Sequence, residues 1–598
     1  MNKISIYALT FFLSLSSVTV YSQKNNKQVI FTNEQGSDIF YHTIERGQTV
    51  YAIATMYGVS VEDIYRLNPE SKEGIKAGST LRIPQKDSAI APSGKADNYT
   101  YHTIQPKETL YSLSIKYSVP ATDIIAANPG LSTSTFTIGK NIRIPPTRLE
   151  TLPTTEKKTV QKEMEYTIQK KETMYRICRK FDISSVELLR LNPELKNGVK
   201  AGMVIKIPVA SEEVITQNIE REVNALLSTP KDIKKVNRIQ VALLLPFMTN
   251  ETTQSSATSR FVEYYEGLLL AVDSLRNMGT SIELSVYDTG NGTKKVKEIL
   301  KEDALSNANL IIGAVQNDQI GLIADFAQKH NIKYVIPFTS KNDDVLSNAN
   351  VYQVNTPHSY LYSKAAQAGC DLFSDYNIIL VNIKDKEEKP EFIKAFKTEM
   401  QQRDIPFKEV TYKGDTFATD IEAAMVRDKR NVVLPTSASL DAVNKIKAPL
   451  RMLSELKEEE KEPYMVNLFG YPEWQTYTRE CLEDFYALNT YIYSNFYADN
   501  LSPEVHSFYS DYKNWYSKNL INTFPKYGIL GFDTGMYFLG AINKYGSNFE
   551  NNLDKIHYKS IQTGFDFHRV NNWGGFINTN LFIVHYKNDY TVTRSEVR

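Results

Sequence analysis

Catalytic chemistry in a chain announces itself by spacing: a nucleophile within reach of a base, metal ligands a helical turn apart, or a glycine loop around a phosphate. The 598-residue sequence contains no His-Glu-x-x-His, no Gly-x-Ser-x-Gly and no phosphate-loop run. Its three cysteines, Cys178, Cys370 and Cys481, each sit in an amphipathic helical pattern with no histidine close in sequence. They read as small buried hydrophobes, with a Cys370–Cys481 bridge left open. Glu458-Glu459-Glu460 belongs to a solvated charge run rather than an acid/base pair. No catalytic residue, metal ligand or cofactor follows from these patterns, and the chain is expected not to be an enzyme. What remains is the chemistry of recognition, carried by short polar loops that recur.

Three segments align: His42-Thr43-Ile44-Glu45-Arg46-Gly47-Gln48-Thr49, His102-Thr103-Ile104-Gln105-Pro106-Lys107-Glu108-Thr109 and Tyr166-Thr167-Ile168-Gln169-Lys170-Lys171-Glu172-Thr173. Nineteen residues after each final threonine stands Asn-Pro, at Asn68-Pro69, Asn128-Pro129 and Asn192-Pro193. Ten or eleven residues further comes a glycine, Gly78, Gly139 or Gly202, and each copy closes on Ile-Pro at Ile83-Pro84, Ile144-Pro145 or Ile207-Pro208. Four landmarks kept in register three times define a repeat.

The elements that must position these loops follow from the residues. A short strand ends at Ile44, and Thr49 is a good helix N-cap. Val50, Ile53, Ala54 and Tyr57 then keep helical spacing, and Val61, Ile64, Tyr65 and Leu67 form a second helix. Asn68-Pro69 stops that helix, because proline disfavours helix in the residue before it. Gly78 turns the chain into a closing strand that pairs with the first. Each unit is therefore βααβ in about 45 residues, near the lower limit for an independent core. His42 and His102 are expected to pack rather than coordinate.

This pattern resembles the LysM family, whose modules bind N-acetylglucosamine-containing glycans in a groove between the loop after the first strand and the loop before the last. The resemblance implies glycan contacts from Arg46, Gly47, Gln48, Thr49, Ile75, Lys76, Ala77 and Gly78 in the first copy. In the second it implies Pro106, Lys107, Glu108, Thr109, Thr137, Ile138 and Gly139. In the third it implies Lys170, Lys171, Glu172, Thr173, Val199, Lys200, Ala201 and Gly202. Lys107 and Lys171 stand where the family commonly has glycine.

Lysine plus arginine and aspartate plus glutamate both number 69, so no basic face argues for nucleic acid. Lys3, the apolar run Ile4–Leu15 and the small residues Val20 and Ser22 read as a secretory signal peptide over residues 1–22, with no membrane span left after cleavage. The expected order is three modules at 40–85, 100–146 and 165–209, joined by linkers at 86–99, 147–164 and 210–236. The first linker, with Pro, Ser, Gly and Ala, and the second, rich in Thr, Pro and Lys, predict beads on a string.

From residue 237 to 598 the pattern changes to apolar strands alternating with amphipathic helices. Strands are predicted at Ile239–Leu245, Ile282–Tyr287, Leu310–Ile312, Lys333–Phe338, Asn377–Val381, Val410–Lys413, Asn431–Leu434 and Met465–Phe469, with helices at Val296–Ala304 and Ile320–Ala327 among those between them. Such alternation predicts parallel sheets covered by helices, and the length predicts two lobes. The fold class is thus multidomain, with three small α+β modules followed by a two-lobed α/β domain.

The stretches Leu310-Ile311-Ile312-Gly313, Tyr334–Ser340 and Gly531–Leu539 make this region similar to type I periplasmic binding proteins of the branched-chain amino-acid class. That resemblance implies a cleft lined by Gln316, Asn317, Thr339, Ser340, Tyr471 and Glu473. The loop Pro246–Glu251 departs from the family's glycine-rich loop, and Asp318 stands where a ligand carboxylate would want a helix N-terminus. The partners expected are peptidoglycan (with chitin the other N-acetylglucosamine glycan left open), and either an amino-acid-like ligand or an envelope protein. Two functions stay open: an exported, wall-tethered scaffold, sensor or regulator, and a solute-binding receptor for amino acids or short peptides feeding an ABC transporter.

Overall fold

A computed structural model of the chain describes residues 28–32, 38–44, 49–57, 61–72, 74–75, 80–84, 99–146, 161–210, 220–228, 233, 235–249, 255–340, 342–356, 358–455 and 462–597. The signal-peptide segment lies outside them, as do Arg46, Gly47, Gln48, Lys76, Ala77 and Gly78. By contacts the chain divides into two units, one comprising residues 97–232 and the other the first module together with the C-terminal region.

Each repeat folds as strand, helix, helix, strand. In the second, Thr100–Thr103 pairs antiparallel with Asn141–Ile144, and in the third Gln161–Thr167 pairs with Val204–Ala210. The helices between are Leu110–Tyr117 and Ala121–Ala127 in one copy, and Met174–Phe181 and Ser185–Leu191 in the other. In the first copy Asp38–Thr43 pairs with Thr80–Pro84, and an additional strand, Gln28–Thr32, joins on its other side. Each core is a handful of aliphatic residues; in the second, Ile104, Leu110, Leu113, Ile124, Ile142 and Ile144 are all buried.

The asparagine of each Asn-Pro does more than end a helix. Asn128 donates from Nδ2 to the carbonyls of Ile124 (2.7 Å) and Arg143 (2.7 Å), and its Oδ1 accepts from the Arg143 amide at 2.8 Å. Asn192 repeats the clamp on Leu188 and Lys206, and Asn68 bonds Ile64 at 2.8 Å. One buried side chain thereby ties the second helix to the closing strand and leaves none of its amide groups orphaned.

The C-terminal region forms two lobes. In the first, five parallel neighbours, Val351–Gln353, Lys333–Ile336, Leu310–Gly313, Ile239–Leu245 and Ile282–Asp288, are extended at one edge by Phe576–Asn578 (parallel) and Phe567–Arg569 (antiparallel). In the second, the parallel run Phe407–Thr411, Asn377–Asn382, Asn431–Pro435, Val466–Gly470 and Tyr491–Ser494 gains Phe582–Tyr586 and Val592–Glu596 in antiparallel order. The predicted helix over 296–304 is broken into Lys294–Ile299 and Asp303–Ser306, and the predicted Val410–Lys413 strand lies earlier, at Phe407–Thr411. Cys370 and Cys481 are buried and free, so the bridge left open above is not formed.

The chain crosses between lobes after residues 354–356, and again at 495–502 and 579–581. Helices Ser256–Asn277 and Tyr527–Tyr545 pack closely enough in the first lobe that a Cβ on Gly531 would stand 2.0 Å from the Tyr264 carbonyl oxygen. This contact aims Asp533 at the crossings. Its buried carboxylate accepts from the amides of Ile561 (2.9 Å), Gln562 (2.8 Å) and Thr563 (2.8 Å) and from the Tyr558 hydroxyl (2.9 Å).

The linker reading needs two corrections. Tyr51 of the first module meets Tyr360 edge-on, with ring centroids 4.4 Å apart, while Lys394 donates to the carbonyls of Ser71 (3.0 Å) and Lys72. That module packs on the second lobe instead of swinging free. Residues 220–228, inside the third linker, are helical and pack on the second module through Val223 and Leu227.

Burial pushes Asp533 up to about 6 against the hydrogen bonds that favour its charge. A carboxyl raised in the folded state contributes stability below its unfolded value of 3.8 and loses it as pH rises through 6. The stability advantage of the parent over Asp533→Asn should therefore shrink by about 3 kcal/mol between those limits. Thermal midpoints of both proteins across that range check this; a gap that widens with pH refutes it.

Candidate functional site

In the second and third modules the two predicted loops are stitched together by the backbone. The Gly139 amide donates to the Ile104 carbonyl (2.8 Å) and the Ile104 amide to Lys140 (3.0 Å); Gly202 and Met203 do the same with Ile168. Gly139 and Gly202 make that turn with φ of 84° and 92°. The loop after the first strand and the loop before the last therefore share one edge, as the groove assignment requires.

The residues assigned to that groove differ in role. Thr109 caps its helix, accepting from the Ser112 amide at 3.1 Å, and Thr173 accepts from Arg176 at 3.3 Å. Glu108 faces inward: it accepts from the Gln105 amide (2.8 Å), meets His102 Nε2 at 2.5 Å and holds Lys116 at 3.0 Å. Burial opposes its charge, but these three donors together hold the carboxyl below its ordinary range. Glu172 braces its loop alike, through the Gln169 amide and the Tyr166 hydroxyl. His102 packs edge-on to Tyr117, 5.4 Å away, as a structural residue.

Pro106, Lys107, Thr137, Ile138, Lys170, Lys171, Thr173, Lys200, Ala201 and Gly202 are exposed, and Val199 is half-buried against its core. In the first module, Thr49 and Ile75 are described and both are half-buried.

In the C-terminal region, Gln316 and Asn317 follow Leu310–Gly313, and Thr339 and Ser340 follow the adjacent parallel strand Lys333–Ile336, so all four leave one sheet edge. That edge is largely self-satisfied. The Gln316 side chain accepts from the Gly292 amide (3.0 Å) and donates to Asn291 (3.2 Å). Asp318 accepts from the Gln319 amide at 3.0 Å, supplying the helix N-terminus with its own anion. Asp288 holds the Pro246–Thr249 turn through Met248, Thr249 and Lys295. Partial burial works against that carboxylate, yet its donors keep it well below the usual range.

Tyr471 is a correction: it is 0% exposed and its hydroxyl donates to the Pro435 carbonyl at 2.7 Å, so it belongs to the core of the second lobe. Glu473 pairs with Lys389 at 2.6 Å. Sequence reasoning missed an aromatic rim on the first lobe. Phe338 stacks on Tyr527 (5.5 Å, 11°) and meets Phe261 edge-on at 5.2 Å, while Phe247 meets Tyr265 at 5.8 Å. Phe247 and Phe338 each lie two residues beyond a strand end, which was the available signal.

The LysM domain model matches residues 42–84, 102–145 and 166–208, and the chain accordingly carries three LysM domains. A sporulation-specific glycosylase of Bacillus subtilis is 33% identical over 107 residues, 18% of this chain and 22% of that protein. An N-acetylmuramoyl-L-alanine amidase of Staphylococcus aureus is 23% identical over 159 residues, 25% of this chain and 47% of its own length. The chain spans less than half the length of either relative. Among solved structures, a branched-chain amino acid ABC transporter protein from Rhodospirillum rubrum is similar over 60% of this chain and 100% of that one, with 14% identity and a TM-score of 0.43. The C-terminal region itself is built of two parallel-rich lobes joined by repeated crossings. Among the described residues no helix is long and apolar enough to cross a membrane.

Lys107 and Lys171 adopt φ of 68° and 70°, the left-handed region where a side chain costs about 1 kcal/mol. Lys171→Gly should raise the thermal midpoint of the third module by a few degrees; an unchanged or lower midpoint would show that the loop carries no such strain.

Proposed function

We propose that this chain is an exported, non-catalytic peptidoglycan-binding protein whose LysM modules tether a two-lobed domain at the cell wall, where that domain acts as a scaffold, sensor or regulator. The observation that carries this reading is the recurrence of one strand–helix–helix–strand unit in three modules, with the two loops joined and their rim exposed and lysine-rich in the second and third. The relatives' names, a glycosylase and an N-acetylmuramoyl-L-alanine amidase, favour peptidoglycan over chitin as the glycan.

For the C-terminal domain, the self-pairing of the cleft edge favours a role without a small amino-acid ligand. Gln316, Asp318, Asp288 and the Lys389–Glu473 pair are occupied by neighbours. An amino-acid zwitterion would have to break such bonds to be held, each worth about 1 kcal/mol or more. A fixed tether also suits a stationary partner better than a receptor that must travel to a permease.

Two measurements on the full chain test the reading. It should sediment with insoluble peptidoglycan and be displaced by soluble N-acetylglucosamine oligomers. Its thermal unfolding should be unmoved by amino acids or short peptides, although a true ligand at 100 times its Kd would add about 2.7 kcal/mol. A saturable upward shift that disappears in Thr339→Ala/Ser340→Ala would instead establish the solute-receptor role.

A further inference from the structure

The three modules carry a tyrosine at one equivalent place, two residues after the capping threonine: Tyr51, Tyr111 and Tyr175. Their surroundings differ. Tyr51 packs edge-on against Tyr360 of the second lobe. Tyr111 is half-buried, and its amide donates to Asn224 Oδ1 at 3.3 Å. Tyr175 is 73% exposed.

The cover over the second module is the helical segment 220–228. Its half-buried residues are Glu220, Val223, Asn224 and Leu227, spaced as one helical face, and its remaining residues are exposed. Val223 and Leu227 pack against the core of the second module. Glu220 Oε1 accepts from the Thr109 hydroxyl at 3.0 Å. With its oxygen accepting from Ser112 and its hydrogen given to Glu220, Thr109 has both hydroxyl functions engaged within the chain. In the third module Thr173 accepts from Arg176, and no described residue takes its hydrogen at hydrogen-bonding distance.

We infer that segment 220–228 is a built-in cover on the glycan-facing loop of the second module, and that the third module is the one presented open, with Tyr175 as an aromatic platform beside Thr173. An exposed tyrosine two residues from a hydroxyl whose hydrogen no described residue takes matches a pyranose ring, which offers apolar C–H groups on one face and hydroxyls at its edge. This inference rests on the peptidoglycan-binding reading and adds which copy carries it at rest.

The test uses the full chain and co-sedimentation with insoluble peptidoglycan. Tyr175→Ala, at a surface position that should not disturb folding, is expected to weaken binding about tenfold. Adding Val223→Asp and Leu227→Asp should release the cover and restore binding in that background. A further Tyr111→Ala should abolish it again, and circular dichroism of each variant verifies that the modules stay folded. Parent-like binding by Tyr175→Ala, or failure of the folded cover variants to rescue it, overturns the inference while leaving the tether intact. A parent chain that does not sediment at all removes the peptidoglycan reading itself.

Discussion

A single carboxylate organises the C-terminal domain. Asp533 lies wholly buried on a helix of the first lobe and gathers three consecutive amides of the 561–563 segment. That segment in turn receives the Tyr497 amide at the Gln562 carbonyl (3.0 Å), so the second crossing is held by the same strand. From the second lobe, Arg594 reaches the carbonyls of Tyr497, Ile561 and Ser560. An acid of one lobe and a base of the other therefore clasp the same stretch of backbone from opposite sides. Removing either would leave buried polar groups unpaired, the costliest kind of loss in a protein interior.

The aim of that carboxylate depends on an approach no side chain would permit. Gly267 faces the Gly528 carbonyl oxygen, and Gly531 faces that of Tyr264, at 1.8 and 2.0 Å from where a Cβ would stand. Gly535, one turn further, would meet Leu268 and Ala271. The Gly531–Leu539 stretch that carried the family resemblance thus has a mechanical explanation: two glycines set the depth of helix packing, and the acid between them spends that depth on the crossings.

Much of this architecture was legible because its signals are local. The βααβ order follows from a capping threonine, helical spacing and a proline stop, all within one repeat. The parallel strands follow from apolar runs such as Ile239–Leu245. What stayed illegible depends on partners distant in the chain. The three-residue strand Phe576–Asn578 reaches the first lobe's sheet by pairing with Val351–Gln353, more than two hundred residues earlier in the chain. Tyr471 was implied as a cleft residue by the family resemblance, and nothing local reveals that its hydroxyl finds the Pro435 carbonyl. Glu108 and Glu172 were read with the groove, yet each turns inward to the amide three residues before it. The segment 220–228 carried its amphipathic stripe openly, but in a stretch assigned as linker from its place between the third module and the C-terminal domain.

Identical modules in unequal settings change what a repeat accomplishes. Three free modules on flexible linkers would multiply their affinities through effective concentration. Here the first module shares contacts with the second lobe through Tyr51, Tyr360 and Lys394, and the second shares its loop with a segment of its own chain. A glycan that displaced such a contact would have to supply the free energy the contact held, so engagement of the first or second module would be weaker than that of the third. Linkage runs in both directions. On the proposed reading, a partner that altered the contact between the second lobe and the first module would change that module's glycan affinity by the same free energy. The first module and the second lobe are in this sense a single equilibrium, with Tyr360 at the point where they meet.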